Sequence, residues 1–239
     1  MKNKEIFVFC TSLILIGLVV SASIIYTRTY NKNPKKITIS DNDQAYVIQP
    51  ISSSDHMIGN PNADLILIEY SDFTCQFCRE FHPTMMKLVI ENAKNGSFAW
   101  VYRNFSADEA IGNKNSLSMK TAIMSECVNE IGGPTKFWNF LSDVYTQTPI
   151  NFTESDVKKI VENSGINMSE FEKCISSGKF NDKIQRNIDD GLAIYEQDGD
   201  FGTPYNILIT RDGRKLVLPG PQNYSLLDEL IKLYRSPSL

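Results

Sequence analysis

Leu65-Ile66-Leu67-Ile68 is an unbroken apolar run that continues into Glu69-Tyr70-Ser71. A short run without polar alternation predicts a strand buried in the middle of a sheet. After Asp72-Phe73-Thr74 the period changes. Phe81, Met85, Leu88 and Val89 recur at helical spacing and predict a helix from Cys78 to about Lys94. Pro83 lies inside it, where proline removes a hydrogen bond and kinks a helix. Phe98 to Phe105 reads as a strand. From Ala107 to about Asp198 helical spacing dominates: Met119, Ile123, Met124 and Cys127; Phe137, Phe140, Leu141 and Val144; Val157, Ile160 and Val161. Gly132-Gly133-Pro134 separates the first of these helices from the next. Thr153 with Asp156 has the form of a capping box, Asp standing for the usual Glu or Gln. Asn206 to Thr210 is a strand entered through Pro204, which belongs at a strand start. Arg211-Asp212-Gly213-Arg214 signals a hairpin turn, Lys215 to Leu218 is the returning strand, and Ser225 to Tyr234 is a terminal amphipathic helix.

The N-terminus follows a different pattern. Ile6 to Tyr26 carries no charge and is long enough as a helix to cross a ~30 Å bilayer core, which takes about 20 residues. The chain therefore divides into a short cytoplasmic N-terminus (1–5), a transmembrane signal anchor (6–26), a polar linker (27–50) with a short strand candidate at Ile37 to Ile39, and a domain over 51–239. The competing reading of 6–26 is a signal peptide cut after Ala22. Arg28, Lys32, Lys35 and Lys36 follow the span and only Lys2 and Lys4 precede it, so a count of positive charges puts the C-terminal side in the cytoplasm. The cysteines argue for the opposite side and are given more weight.

Composition narrows the function classes. The 239 residues hold 24 Lys and Arg against 28 Asp and Glu, a net charge of -4, which leaves no basic excess for nucleic acid. A chain of this length builds a core without disulfide staples, so the 5 cysteines need another explanation. Cys10 lies in the apolar segment. Of the other four, Cys75-Gln76-Phe77-Cys78 is a CxxC pair, while Cys127 and Cys174 stand apart. An even number behind an export signal favours disulfide chemistry. A zinc site through Cys75, Cys78 and His82 is an alternative, although structural zinc takes four ligands and only His56 and His82 exist. A passive CxxC disulfide is another.

Placement favours redox chemistry. The pair sits between a strand end and a helix start, where free backbone N–H groups and the helix dipole favour a thiolate. Cys75 is expected to be the exposed nucleophile with a lowered pKa, and Cys78, one turn in, the buried resolving thiol. Glu69 is either a strand-end residue reaching solvent or a buried carboxyl that exchanges a proton with Cys78.

The order strand, CxxC, proline-containing helix, strand, Pro-initiated strand, hairpin and final helix resembles the thioredoxin order. The stretch GNPNADLILIEYSDFTCQFCREFHP, with Phe137-Trp138, Phe171-Glu172-Lys173-Cys174, Asp190-Gly191 and Gly202-Thr203-Pro204, is similar to DsbA-like thiol–disulfide oxidoreductases over roughly residues 55 to 235. The resemblance implies an α/β thioredoxin fold with a helical domain inserted at about 107–198. It implies a cis Pro204 facing the cysteines, with the Thr203 backbone able to bond an extended substrate segment. It also implies a structural disulfide between Cys127 and Cys174, the alternatives being two buried free thiols or a catalytic pair. Where the best-known DsbA proteins carry His before the second cysteine this chain has Phe77, so strong oxidising character does not carry over.

The activity implied is that of an extracytoplasmic thiol oxidase, single-pass in the cell membrane, donating disulfides to unfolded or reduced exported proteins. Cys75 and Cys78 are catalytic, and Glu69, Gln76, Phe77, Thr203 and Pro204 support them. The cysteines carry the electrons, so no organic cofactor or metal is called for. A membrane quinone-linked partner of DsbB or vitamin-K-epoxide-reductase (VKOR) type would reoxidise the pair. Phe73, Phe77 and Tyr205 are candidates for an apolar rim, core packing being the alternative for each. The chain is expected to be a monomer. A reductase or isomerase on the same fold, and a non-catalytic metal- or partner-binding module, are the rival readings.

Overall fold

The computed structural model describes residues 38–40, 48–93, 95–113, 115–199 and 202–235. The elements are β1 (Thr38–Ser40), β2 (His56–Gly59), β3 (Leu65–Ser71), α1 (Gln76–Asn92), β4 (Phe98–Asn104), α2 (Ala107–Ala110), α3 (Leu117–Gln147), α4 (Glu154–Asn163), α5 (Met168–Ser177), α6 (Asn181–Asp198), β5 (Tyr205–Thr210), β6 (Lys215–Pro219) and α7 (Tyr224–Tyr234). The sheet order is β1-β6-β5-β3-β4-β2. The β3–β4 pair is parallel and the other pairs are antiparallel.

The apolar run of β3 is central because both of its faces are covered. Side chains alternate along a strand. Leu65 and Leu67 point into one core with Trp100, Tyr102, Phe81, Met85 and Leu88, capped by Leu227 and Ile231 of α7. Ile68 and Tyr70 point into a second core with Val101, Ile207 and Ile184, Ile188 and Ile194 of α6. Full burial of each such aliphatic or aromatic side chain contributes about 1.5–3 kcal/mol.

The insertion between β4 and β5 is helical. Its longest element, α3, leaves helical geometry at Gly133 (φ 77°, ψ -178°) and resumes at Pro134. A positive φ suits glycine, and proline fits the first position of a restarted helix. Thr153 and Asp156 close a capping box at the start of α4. Cys127 of α3 and Cys174 of α5 are disulfide-bonded.

Three features differ from the sequence reading. The sheet reaches upstream of residue 51: Thr38–Ser40 pairs with β6, and the carbonyls of Gln49 and Pro50 accept from Arg103. The strand β2 was not anticipated, because His-Met-Ile-Gly is short and mixed in polarity. It ends at Gly59 (φ 107°), where a Cβ would lie 2.6 Å from the Phe98 carbonyl oxygen, so only glycine fits there. Phe73 and Tyr205, open between rim and core, are buried in the cores and leave Phe77 alone of the three at the rim. The expected span 6–26 lies outside the described residues. Among the described residues no helix is long and apolar enough to cross a membrane.

Candidate active site

The β3 strand ends at Ser71, and Asp72 organises the turn that follows. Its Oδ1 accepts from the backbone N–H and the hydroxyl of Thr74, both at 2.7 Å. Its Oδ2 accepts from the Ala107 N–H at 2.9 Å, which ties the turn to α2. The Cys75 N–H donates to the Asp72 carbonyl at 3.1 Å. This turn delivers Cys75 as the N-cap of α1 in extended geometry (φ -78°, ψ 122°). The helix thus starts two residues before the expected Cys78, and the pair occupies its first turn.

Both cysteines are free thiols, Cys75 partly exposed and Cys78 fully buried. The chain returns to them from β5. The Thr203–Pro204 bond is cis, and the Thr203 carbonyl accepts from Cys75 Sγ at 3.2 Å. Pro204 is held in turn by the Gly220 N–H, which donates to its carbonyl at 2.9 Å. The two parts of the candidate site, separated by more than 120 residues in sequence, therefore meet at one sulfur.

The electrostatics divide the pair. The Cys78 thiol, with the Thr203 side-chain hydroxyl and the N–H groups of Cys78 and Phe77, pulls the Cys75 pKa down from 9.0 to about 6 against the opposing effect of burial. Burial, followed by the demand of Cys75 for its hydrogen, pushes Cys78 well above 9.0. A nucleophile must be a thiolate near neutral pH, and this division gives Cys75 that state while Cys78 keeps its proton. Alkylation of Cys75 in the reduced protein is therefore expected to rise with pH through a midpoint near 6; a midpoint near 9 would contradict it. The sign follows for stability. The folded dithiol has the depressed pKa, so its thiolate stabilisation is full above pH 9 and fades as pH falls through about 6.

Glu69 does not reach solvent. It is 1 % exposed, and burial raises its pKa from 4.5 to about 8, partly offset by Ser71. It interacts with Cys75 and with Cys78. Around it lie three hydroxyl groups that sequence reasoning missed. Tyr145 Oη donates to the Asp72 carbonyl at 3.2 Å and lies 3.3 Å from both Ser71 Oγ and Tyr102 Oη. Tyr102 of β4 stands beside Glu69 of β3, a neighbour that only the strand register reveals.

The remaining expected residues separate. Phe77 is 49 % exposed beside Cys75, an apolar surface at the rim. Gln76 is exposed and bonds Glu80 at 2.8 Å. His82 is buried, its Nε2 2.9 Å from Ser142 Oγ, and burial lowers its pKa to about 4. Among the described residues, no group of three or more His, Cys, Asp or Glu is placed to hold a metal ion. Arg79, one residue past the pair, turns away to the carbonyl of Thr148 at 2.8 Å and to that of Tyr145.

The chain is similar to known proteins in family and fold. The thioredoxin family profile matches residues 52–196. A protein described as "Putative protein-disulfide oxidoreductase" from Rickettsia typhi is 26% identical over 144 residues, covering 57% of this chain and 49% of its own. A similarly described protein from Rickettsia prowazekii is 26% identical over 133 residues, covering 54% and 46%. The chain spans about half the length of the curated relatives it matches. Among solved structures, alpha-DsbA1 from Wolbachia pipientis has a TM-score of 0.61 at 23% identity, covering 77% of this chain and 92% of its own. DsbA2 from Pseudomonas aeruginosa has a TM-score of 0.57 at 20% identity, covering 77% and 97%. At these identities the likeness is one of fold.

Proposed function

The chain belongs to the thioredoxin family, and from that premise we propose that it is a thiol–disulfide oxidoreductase that donates disulfides to exported proteins through Cys75 and Cys78. One observation carries the reading: a partly exposed Cys75 Sγ at a helix start, 3.2 Å from the Thr203 carbonyl, with Cys78 buried behind it. The names of the Rickettsia relatives and the DsbA fold support the same reaction class.

A substrate thiolate attacks Cys75 of the oxidised pair. The Cys75–Cys78 bond breaks, a mixed disulfide forms, and Cys78 leaves with the electron pair and takes the proton carried by Glu69. A second substrate thiolate then attacks the substrate sulfur of the mixed disulfide. Cys75 leaves as the stabilised thiolate and the substrate departs oxidised. Two electrons have moved to the protein. Of the two substrate thiol protons, one replaces that of Glu69 and one is released to solvent. An extended substrate segment lies along Thr203 and Pro204, and Phe77 offers apolar cover.

In this proposal residues 6–26 anchor a monomer to the membrane with the domain outside the cytoplasm. A quinone-linked membrane partner of DsbB or VKOR type reoxidises the pair. The test is the reduction potential of Cys75–Cys78, with the Cys127–Cys174 bond checked by thiol counting. A value of about -180 to -120 mV is expected of a disulfide donor. A value near about -270 mV would overturn the direction and favour a reductase with its own electron donor.

A further inference from the structure

The sheet rung that carries Glu69 holds another buried polar residue, one to which the exchange chemistry gives no role. Asn206 of β5 stands directly opposite Glu69 of β3. Side chains so paired share a face, with Cβ atoms about 4.5–5.5 Å apart. Asn206 is fully buried. Its Nδ2 donates to the carbonyls of Leu218 at 3.1 Å and Gly220 at 2.8 Å. These acceptors fix the amide, because turning it over would set Oδ1 against two carbonyl oxygens. Oδ1 is thus held on the side away from β6, the side on which β3 lies. It is buried without a donor, and so is Glu69 Oε2.

Two acceptors without donors on neighbouring side chains are unfavourable while both remain acceptors. The carboxyl is the member of the pair that can change. Ionised, it only accepts; protonated, it gains one O–H donor. The ionisable groups around it do not favour the ionised form. Cys75, Cys78, Tyr102 and Tyr145 are acids whose ionisation Glu69 opposes or is opposed by. His82, packed on Trp100 and Tyr145, is neutral at neutral pH. Ser71 and the Trp100 indole N–H are the nearby groups that favour the carboxylate, and burial outweighs both.

We propose that Asn206 is a positioning residue that keeps Glu69 a proton-bearing acid, its fixed Oδ1 accepting the hydrogen of Glu69 Oε2. The inference rests on the reading of Glu69 as proton donor to Cys78. When Cys78 leaves, the Glu69 O–H bond breaks and the Cys78 S–H bond forms. The carboxylate left behind then faces the immobile Oδ1, which favours recapture of a proton from solvent.

The experiment is a carbon-13 NMR titration of the reduced full chain. In the unsubstituted protein the Asn206 Cγ resonance is expected to move with the same midpoint as the Glu69 Cδ resonance. In Asn206→Leu, the Glu69 midpoint is expected to fall by about one pH unit, the size of a lost hydrogen bond to the neutral form. The acid limb of the exchange-rate profile should fall with it. A merely structural asparagine would move neither. An Asn206 Cγ that ignores the Glu69 titration overturns the proposal, as does a Glu69 midpoint that stays or rises in the variant. If Asn206→Leu does not fold, the co-titration in the unsubstituted protein decides. Thiol exchange by that sample, compared with Cys75→Ser, tests the functional reading separately; its absence would sink that reading and leave the co-titration interpretable.

Discussion

Cys78→Ser is expected to abolish turnover while preserving the attack of Cys75 on an oxidised partner. The buried thiol is the group that closes on Cys75 and ejects a bound partner. Attack from within the first turn of α1 benefits from an effective concentration on the order of 10⁵ M or more. Without it, and with no reduced substrate present, a mixed disulfide on Cys75 should persist after mixing with an oxidised peptide or glutathione. Mass spectrometry of the non-reduced protein would show the added partner on Cys75, and repeated disulfide transfer should fall to background. Cys75→Ser should lose both the transfer and the trapped species, because Cys78 is buried and keeps its proton. Continued turnover in Cys78→Ser, or a trapped species in Cys75→Ser, would remove the roles assigned to the pair.

The cysteine pair was legible in the sequence because its signal is local. A strand, a turn and a helix start lie within the few residues from Glu69 to Cys78, and each leaves a mark in side-chain pattern. Pro204 was legible through resemblance, but its meeting with Cys75 is tertiary. Glu69 stood between two readings until the fold showed β3 covered on both faces, which turns a strand-end carboxyl into a buried one. Tyr102, Tyr145 and Asn206 escaped for the same reason. Each looks like an ordinary core or strand residue, and only the register of β3 against β4 and β5 puts Tyr102 and Asn206 on the rung of Glu69. The strand β2 escaped because its pairing with β4, rather than its own composition, makes it a strand.

The same register governs the largest stability effect expected away from the cysteines. Arg103 lies opposite Tyr70 in the β3–β4 pair, on the sheet face away from Cys78. Its Nε donates to Asp55 at 2.8 Å and its Nη1 to Asp190 at 2.9 Å. The remaining donors reach Tyr70 Oη, Asp55 and the Gln49 and Pro50 carbonyls. Asp190 also accepts from Tyr70 and from the Gln49 N–H. The guanidinium is 2 % exposed, so one buried cation satisfies two carboxylates and pins the segment before β2 to the sheet. Arg103→Met keeps the bulk of the stem and leaves both carboxylates without their cation, a change that costs about 3–5 kcal/mol. Urea unfolding should show the unfolding free energy lowered by that amount, through a lower midpoint at unchanged slope. Adding Asp55→Asn and Asp190→Asn should recover much of the loss, because the penalty belongs to unpaired charge rather than to missing volume. A loss under about 1 kcal/mol would place the ion pairs in the exposed class and refute their structural weight. Thiol exchange per folded molecule should stay unchanged in these variants, since the cluster lies across the sheet from Cys75.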